Sequence, residues 1–386
     1  MKRDELEFGE VHRWRSEFPI LESCTYLISN SLGAMPSATK DHLAAYCDLW
    51  ETRGVRAWED SWWNMPARIA EKLAGILGAN NSSVSIHPNV TTAQWVALSS
   101  LDTAARRRKI VYSELNFPSI QYFYQMHPEL TVQVVKSVNG ISVPLDDMLE
   151  AIDEETLAVP ISNVLFRSSY IQNVKAIVEK AHAVGAYVIL DVYHSCGVIP
   201  VDVAELGVDF AVGGVLKWLC GGPGIAFLYV SPELRNRLEP RLTGWFAHEA
   251  PMDFAPEMRF TQSSYRFMSG TPNIPGLFAA LRGLEIISEV GVDRIRKRSL
   301  LLTARIVELA ESLGIDLGSP RNADSRGGHV TINPSDPERV SQELLESNFV
   351  IDYRPGAGIR IAPHFYNTLE EVEQVMLAIE AIGKQR

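Results

Sequence analysis

The chain has 386 residues, of which 46% are hydrophobic and 22% are charged. This composition is ordinary for a globular protein, and the length allows more than one domain with a substantial core. The net charge of −11 argues against a broad nucleic-acid-binding surface, although a local positive pocket can still bind a small anion.

The cysteines and the apolar runs restrict the class of protein further. The four cysteines have no paired or regular spacing, so we expect neither a disulfide framework nor a metal site: Cys24, Cys47, Cys196 and Cys220. The opening residues, MKRDELEFGEVHRWRSEF, lack the apolar run of a signal peptide. No apolar run reaches the roughly 18 residues of a membrane span. We therefore expect a cytoplasmic protein without a membrane segment.

The chain divides into three parts by pattern. Residues 1–60 are rich in tryptophan and polar residues, and we predict an N-terminal arm and a helix that pack with the smaller domain. From about Ser85 to Leu228, short apolar runs such as KIVYSE and AYVILDVY alternate with amphipathic segments. Near-continuous apolar strands that alternate with helices indicate a parallel sheet buried on both faces. Residues 61–275 are thus predicted to form a large α/β domain.

The C-terminal part has a different pattern. A long helical stretch follows Pro272 and continues to about Leu313. The segments after it read as strand, helix, strand, strand and helix, which is typical of a small α+β unit. We predict that residues 276–386 form a linking helix and a small C-terminal domain.

A single lysine interrupts an apolar, glycine-rich run, GGVLKWLCGGPG, between Gly213 and Gly224. A lysine at the end of a strand usually reaches water, so Lys217 alone indicates little. The glycines on both sides, however, allow the backbone to approach another group closely.

A second stretch, YVILDVYHSCG, places Asp191 at the end of an apolar strand and His194 three residues later. Ligands of parallel sheets bind outside the carboxyl ends of the strands. A lysine and an aspartate at neighbouring strand ends suit pyridoxal phosphate, which needs an amine for its aldehyde and an acid for its pyridine nitrogen. We therefore predict Lys217 and Asp191 as catalytic and cofactor-binding residues.

Two segments could bind the phosphate of such a cofactor. Thr91 and Thr92, in HPNVTTAQ, are predicted at a helix N-terminus, where free N–H groups favour an anion, although a plain helix cap is equally common. Gly270 and Thr271, in SGTPN, precede another helix.

These motifs together resemble the class V aminotransferase superfamily of fold-type I pyridoxal-phosphate enzymes, and within it the kynureninases. The resemblance covers nearly the whole chain and rests on seven segments: YLISNSLGAMP, NFPS, DVYHSCGVIPVD, LKWLCGGPG, RLTGWFAH, GTPNI and RIAPHFYNT. It implies a large domain with a mostly parallel seven-stranded sheet, and a homodimer with shared active sites.

The resemblance also implies roles for individual residues. Lys217 would be the Schiff-base lysine, Asp191 the partner of the pyridine nitrogen, and Phe117 the ring that stacks on the cofactor. His194 would lie over or beside the cofactor, as a catalytic and cofactor-binding residue. Further roles are implied at four positions: phosphate contact for Trp245, phosphate contact across the subunit interface for Thr271, substrate binding for Asn30, and substrate-carboxylate binding for Arg360.

The reaction implied by the resemblance is hydrolysis of the Cβ–Cγ bond of kynurenine to anthranilate and alanine. Lys217 would also move the α-proton, and water would add to the side-chain ketone. Four departures from the family pattern stand out. Leu216 replaces the usual Tyr, Ile120 replaces the usual Asp, the segment VLFRSSY differs from its counterpart, and Val90 lies at the place of the phosphate-loop threonine. An alternative is therefore a class V aminotransferase-type enzyme of specialised metabolism, performing transamination, deamination or C–S cleavage. A non-catalytic relative ranks lower, because Lys217 and Asp191 are both present.

Overall fold

A computed structural model describes residues 8–103 and 107–384, so residues 1–7 of the predicted arm lie outside the described residues. The helices are α1 Phe8–Arg15, α2 Thr39–Arg53, α3 Ala57–Asp60, α4 Met65–Ile76, α5 Val90–Ser99, α6 Pro118–Gln125, α7 Leu145–Ala151, α8 Val174–Val184, α9 Val203–Leu206, α10 Pro232–Arg235, α11 Ile274–Val290, α12 Val292–Ser312, α13 Pro337–Glu346 and α14 Leu369–Lys384. The strands are β1 Thr25–Tyr26, β2 Val84–His87, β3 Lys109–Ser113, β4 Thr131–Val135, β5 Thr156–Ser162, β6 Tyr187–Asp191, β7 Phe210–Gly214, β8 Ala226–Val230, β9 Asp316–Leu317, β10 Val330–Asn333, β11 Phe349–Val350, β12 Asp352–Arg354 and β13 Gly358–Ile361.

The large sheet has seven strands in the order β2-β8-β7-β6-β5-β3-β4. Strand β8 runs antiparallel to both of its neighbours, and the other pairings are parallel. The predicted α/β fold with a mostly parallel seven-stranded sheet is therefore confirmed.

The sheet is buried on both faces, as the apolar runs predicted. Along β6, Val188 and Leu190 belong to one hydrophobic core, whereas Ile189 between them belongs to a second core. This alternation follows from the two-residue period of a strand. Helices α4 and α8 pack on strands of this sheet, and α5 contacts β7 and β8.

The C-terminal part has its own sheet and its own core. Strands β12, β13, β10 and β9 form an antiparallel sheet. Its core includes Leu302, Val330 and Val375, which come from α12, β10 and α14. Helix α11, by contrast, packs on α2 and α4 and contributes to the large core. We propose that the division between the two units falls near Gly291, between α11 and α12.

The N-terminal arm contacts both units. Its strand β1 pairs in parallel with β11 of the C-terminal part, and Arg15 makes an ion pair of 3.0 Å with Glu371. Helix α2 packs on α11. None of the helices in the described part of the chain combines the length and apolar composition that crossing a membrane requires.

Helix α11 approaches the loop after β7 closely at Gly283. A Cβ at this position would lie 2.4 Å from the Leu219 carbonyl oxygen and 2.5 Å from that of Cys220. We expect Gly283→Ala to lower the melting temperature, because the added Cβ would collide with backbone atoms of Leu219 and Cys220, which cannot move without shifting the loop. The control is Gly75→Ala on the exposed side of α4, where no atom lies within 4 Å of the added Cβ.

The control should raise stability slightly, because alanine is about 0.5–1 kcal/mol better than glycine inside a helix. Thermal unfolding monitored by circular dichroism measures both changes. Equal melting temperatures for the two variants would contradict the close approach at Gly283.

Candidate active site

The site lies at the carboxyl ends of β6 and β7, which are adjacent and parallel. Asp191 is the last residue of β6, and Lys217 follows the end of β7. Both side chains line one cavity of about 240 Å³, together with His194. The neighbouring strand ends therefore bring together the amine and the carboxylate that the sequence pattern singled out.

Lys217 directs its amine into this cavity. The residue is half-buried, and its Nζ lies beside His194 and the rings of Tyr193 and Phe117. The pKa of Lys217 is lowered to about 7, chiefly by burial; Asp191 opposes this shift, and the positive charges of Arg360 and Arg354 add to it. A large fraction of this amine is consequently neutral and nucleophilic at neutral pH.

Asp191 is 8% exposed, and its carboxylate Oδ1 accepts a hydrogen bond of 2.9 Å from the Tyr193 backbone N–H. Burial raises the pKa of Asp191 to about 6, while the hydrogen bond and the Lys217 charge act in the opposite direction. The carboxylate can bind a protonated ring nitrogen, and such a partner would offset the cost of its burial.

His194 contacts the reactive amine directly, since its Nε2 lies 2.7 Å from Lys217 Nζ. Burial holds the pKa of His194 well below its ordinary value, and the Lys217 charge adds to this effect. His194 is therefore neutral and accepts a hydrogen bond from Lys217. Its Nδ1 is buried without a hydrogen-bond partner.

Tyr193 is a site residue that the sequence analysis missed. Its ring centroid lies 4.4 Å from Lys217 Nζ, which is within the range of a cation–π contact. The ring has this position because Gly214 has no side chain: a Cβ there would lie 2.7 Å from the Tyr193 ring. Gly214 indicated a close approach near the lysine, but the sequence did not show that the approaching group is the Tyr193 ring.

Helix α5 begins at the edge of the cavity. Thr91 lines the cavity, as predicted for a residue at a helix N-terminus. The hydroxyl of Thr92 instead donates to Asn89 Oδ1 at 3.1 Å, and Asn89 also accepts the Thr92 backbone N–H at 2.9 Å. Asn89 is thus the helix cap, and free backbone N–H groups at the start of α5 could hold an anion.

Aromatic and aliphatic side chains form the remaining wall. The Phe117 ring is 43% exposed, lines the cavity, and packs edge-on against Phe166 with centroids 5.1 Å apart. Ile120 and Leu216 also line the cavity. Neither can donate a hydrogen bond from its side chain, so this part of the wall is apolar.

The Asn-Ser-Leu-Gly segment of the arm packs against the lysine loop. The Gly33 N–H donates to the Leu216 carbonyl at 2.9 Å, and a Cβ on Gly33 would lie only 2.2 Å from the Lys217 carbonyl oxygen. Asn30 is fully buried, and both polar atoms of its side chain lack a hydrogen-bond partner. Asn30 is not among the residues that line the Lys217 cavity, so its contact with a substrate stays a prediction.

Arg360 is placed differently from an open carboxylate-binding residue. Its side chain is 2% exposed and forms an ion pair with Asp352. It also donates to the Phe166 carbonyl at 2.7 Å and to the Ser31 hydroxyl at 2.9 Å. Asp352, like Tyr193, was not identified from the sequence.

Trp245, Gly270 and Thr271 are not among the residues that line this cavity. Their two loops pack together instead: the Phe246 N–H donates to the Ser269 carbonyl at 3.3 Å. Gly270 and Thr271 are both exposed. Within one chain these predicted phosphate contacts are thus separate from Lys217.

Comparison with known proteins identifies the family. A sequence model of the family "Aminotransferase class-V" matches residues 25–375. The chain is 33% identical to the uncharacterized aminotransferase YcbU of Bacillus subtilis, with 96% of this chain and 97% of the relative covered. It is 31% identical to a kynureninase of Bacillus thuringiensis subsp. konkukian, with 97% of this chain and 92% of the relative covered.

Solved structures share the fold. A cysteine desulfurase from Thermococcus onnurineus superimposes with a TM-score of 0.85 at 21% identity, and 97% of this chain and 98% of that chain are covered. The cystine C-S lyase C-DES in complex with cysteine persulfide gives a TM-score of 0.86 at 19% identity, with 95% and 99% covered. The chain therefore belongs to the class V aminotransferase family of pyridoxal-phosphate-dependent enzymes.

Proposed function

We propose that this enzyme acts on an α-amino acid and hydrolyses its Cβ–Cγ bond, in the manner of a kynureninase. The observation that carries the proposal is the buried Lys217 amine, whose pKa is lowered to about 7, in one cavity with Asp191. Relatives named kynureninase, at 30–32% identity over 97% of this chain, favour this reaction.

The residues of the cavity fit pyridoxal phosphate. Lys217 supplies the amine, and Asp191 supplies the carboxylate for the pyridine nitrogen. Phe117 offers an aromatic face, and Thr91 lies at the start of α5, where an anion is stabilised. The unpartnered Nδ1 of His194 is a further polar atom that a ligand could satisfy.

The cofactor, when bound, supplies an aldehyde that binds the substrate amine and a ring that accepts an electron pair. In our proposal Asp191 keeps the ring nitrogen protonated. Lys217 Nζ, as a neutral amine, takes the α-proton as a general base. His194 Nε2, as a neutral acceptor, holds Lys217 Nζ in position. The buried amide of Asn30 would bind a polar group of the substrate.

A second candidate function is supported by a specific observation. Ile120 and Leu216 make part of the cavity wall apolar, at positions where kynureninases usually have Asp and Tyr. Transamination, deamination or C–S cleavage on the same cofactor is therefore the alternative. A non-catalytic role ranks lower, because Lys217 and Asp191 are both retained in one cavity.

We also propose a homodimer with shared active sites. The adjoining loops of Trp245 and Thr271 do not line the cavity of their own chain, which fits a role at the cavity of a second copy. A cytoplasmic location is consistent with the free thiols of all four cysteines.

Lys217 should react with pyridoxal phosphate already near neutral pH. We expect the rate of pyridoxal-phosphate capture to rise most between about pH 6 and 8 and to level above, because the neutral amine reacts and the Lys217 pKa is about 7 rather than 10.5. Absorbance of the yellow complex gives the rate, and borohydride reduction followed by peptide mapping identifies the residue. Lys217→Ala should abolish the covalent attachment of the cofactor by borohydride, whereas replacement of the exposed Lys175 by alanine should not.

Asp191→Asn tests the direction in which Asp191 shifts the pKa of Lys217. The negative charge of Asp191 raises the pKa of Lys217, so its removal should move the pH midpoint of capture to lower pH. Two results would contradict the assignment of Lys217 as the reactive lysine. One is a pH midpoint of capture near pH 10 in the wild-type protein, and the other is reduced cofactor attached to another lysine.

The reaction itself can be tested with kynurenine. The loaded enzyme should release anthranilate, detected by its fluorescence, and Lys217→Ala should release none. Absence of anthranilate, together with spectral changes on adding other amino acids, would reject Cβ–Cγ hydrolysis in favour of the second candidate.

Shared sites predict complementation between inactive variants. Thr271→Asp should prevent phosphate binding at the neighbouring cavity by charge repulsion, and Lys217→Ala should inactivate its own cavity. Mixed dimers of the two should regain activity, because one cavity then has both an intact lysine and an intact threonine. No recovery in a mixture shown to exchange subunits would contradict sharing of Thr271.

A further inference from the structure

The hydrogen bond from Lys217 determines which nitrogen of His194 carries the proton. Nε2 accepts from Lys217 Nζ at 2.7 Å, and burial keeps the ring neutral by holding its pKa well below the ordinary value. A neutral imidazole with an accepting Nε2 has its proton on Nδ1. This Nδ1 is buried, and none of residues 8–103 and 107–384 forms a hydrogen bond with it. A buried donor of this kind is unfavourable unless an acceptor lies near.

A second buried histidine, His329, lies next to His194. Its side chain is 1% exposed, and the two ring centroids are 6.1 Å apart. Among the described residues, neither nitrogen of the His329 ring has a hydrogen-bond partner, although the Arg167 backbone acts to raise the pKa of the ring. Burial outweighs this effect and lowers the pKa of His329 to about 3. The ring is therefore neutral, and one of its nitrogens can accept a hydrogen bond.

The loop before β10 brings His329 from the C-terminal domain to the loop that contains Lys217. A Cβ on Gly328 would lie 2.9 Å from the ring of Trp218, the residue after Lys217. The His329 backbone N–H also donates to the Ser169 hydroxyl of the large domain at 3.2 Å. The position of His329 is therefore determined by contacts with the large domain as well as by its own sheet.

The distance between the two rings suits an indirect hydrogen bond. A centroid separation of 6.1 Å leaves the nearest ring nitrogens at least about 4 Å apart, beyond a direct hydrogen bond of roughly 2.7–3.2 Å. One water spans such a gap, and a buried water is held where two or more polar groups bind it. His194 Nδ1–H can donate to this water, and the water can donate to His329.

The charged groups around the two rings keep both of them neutral. Besides burial, four neighbouring groups lower the pKa of His194: Lys217, Arg360, His329 and Arg354. Arg360 and Lys217 also lower the pKa of His329, and the charge of Asp352 opposes them. Replacement of His329 therefore removes a hydrogen-bonding group without removing a charge.

We propose that His329 is a positioning residue for the reactive lysine: through one bridging water it accepts the hydrogen bond of His194 Nδ1–H and keeps His194 Nε2 as the acceptor for Lys217. Without this acceptor the proton would move to Nε2, where it would oppose a charged Lys217. The inference rests on the proposed function in one respect, the role of Lys217 as the reacting amine.

The tautomer of His194 tests the proposal in the cofactor-free protein. Long-range proton–nitrogen NMR spectra of protein labelled with ¹⁵N-histidine distinguish Nδ1–H from Nε2–H, and His194→Gln assigns the signal among the nine histidines. We expect Nδ1–H in the wild type and in His329→Gln, whose amide oxygen can accept. His329→Phe keeps a ring but has no acceptor, so we expect His194 to change to Nε2–H in this variant.

The same variants should alter the amine. In His329→Phe, the proton on His194 Nε2 disfavours the charged form of Lys217, so the pKa of Lys217 should fall below its wild-type value of about 7. We expect the pH midpoint of pyridoxal-phosphate capture to fall by about one unit. His329→Gln should keep the wild-type midpoint.

The matched control is His364→Phe, which replaces another buried histidine beside Trp218. Both ring nitrogens of His364 already bind the protein: Nε2 bonds with the Trp218 carbonyl at 2.8 Å, and Nδ1 accepts from the Phe365 N–H at 2.9 Å. We expect a lower melting temperature for this variant, with the tautomer of His194 and the pH midpoint of capture unchanged.

Three results would overturn the proposal. They are Nε2–H on His194 in the wild type, an unchanged tautomer in folded His329→Phe, and an equal shift of the midpoint in His364→Phe. If His329→Phe does not fold, the wild type still decides, because its Hδ1 proton should show a nuclear Overhauser effect to a long-lived water. Absence of this effect would contradict the bridge.

The proposed function fails separately, if the wild-type protein captures no cofactor at Lys217. The tautomer of His194 is measured without cofactor, so that result leaves the test of His329 unaffected.

Discussion

The burial of one amine governs the chemistry of this site. A lysine amine in water is almost fully protonated at neutral pH, whereas Lys217 is surrounded by protein and has a pKa of about 7. The same burial keeps His194 neutral, so the histidine accepts a hydrogen bond instead of repelling the amine. Removal of both groups from solvent thus produces a nucleophile and its acceptor without any other base.

The fold supplies this environment through close backbone approaches. Gly214 makes room for the Tyr193 ring beside Lys217, and Gly33 allows the arm to lie against the Lys217 carbonyl. A side chain at either position would collide with an aromatic ring or with backbone. The glycines of the lysine segment and of the Asn-Ser-Leu-Gly segment are therefore explained by contacts around one residue.

Much of the large domain could be predicted from the sequence. Because the sheet is covered on both faces, its strands are continuous apolar runs, and their alternation with amphipathic helices indicates a parallel arrangement. Asp191 and Lys217 follow consecutive strands along the chain, β6 and β7, and these strands are also neighbours in the sheet. Asp191 and Lys217 could thus be selected from their strand ends together with the glycines around the lysine.

Other features depend on tertiary contacts that no local pattern encodes. The pairing of Asp352 with Arg360 requires the register of β12 against β13, and the sequence suggested only that strands were present there. The position of the Tyr193 ring beside Lys217 depends on its contact with Gly214, which the sequence does not show. The phosphate contacts of Trp245 and Thr271 were predicted only from a family resemblance. In the structure of one chain, neither residue lines the cavity of that chain.

The arm links the loop that contains Lys217 to the C-terminal part of the chain. Strand β1 pairs with β11, and Gly33, a few residues after β1, hydrogen-bonds to the Leu216 carbonyl. During synthesis, β1 emerges early but has no partner until Phe349 and Val350 have followed. The arm that packs on the Lys217 loop therefore reaches its full set of contacts only after the C-terminal part has been made, and such non-local contacts slow folding.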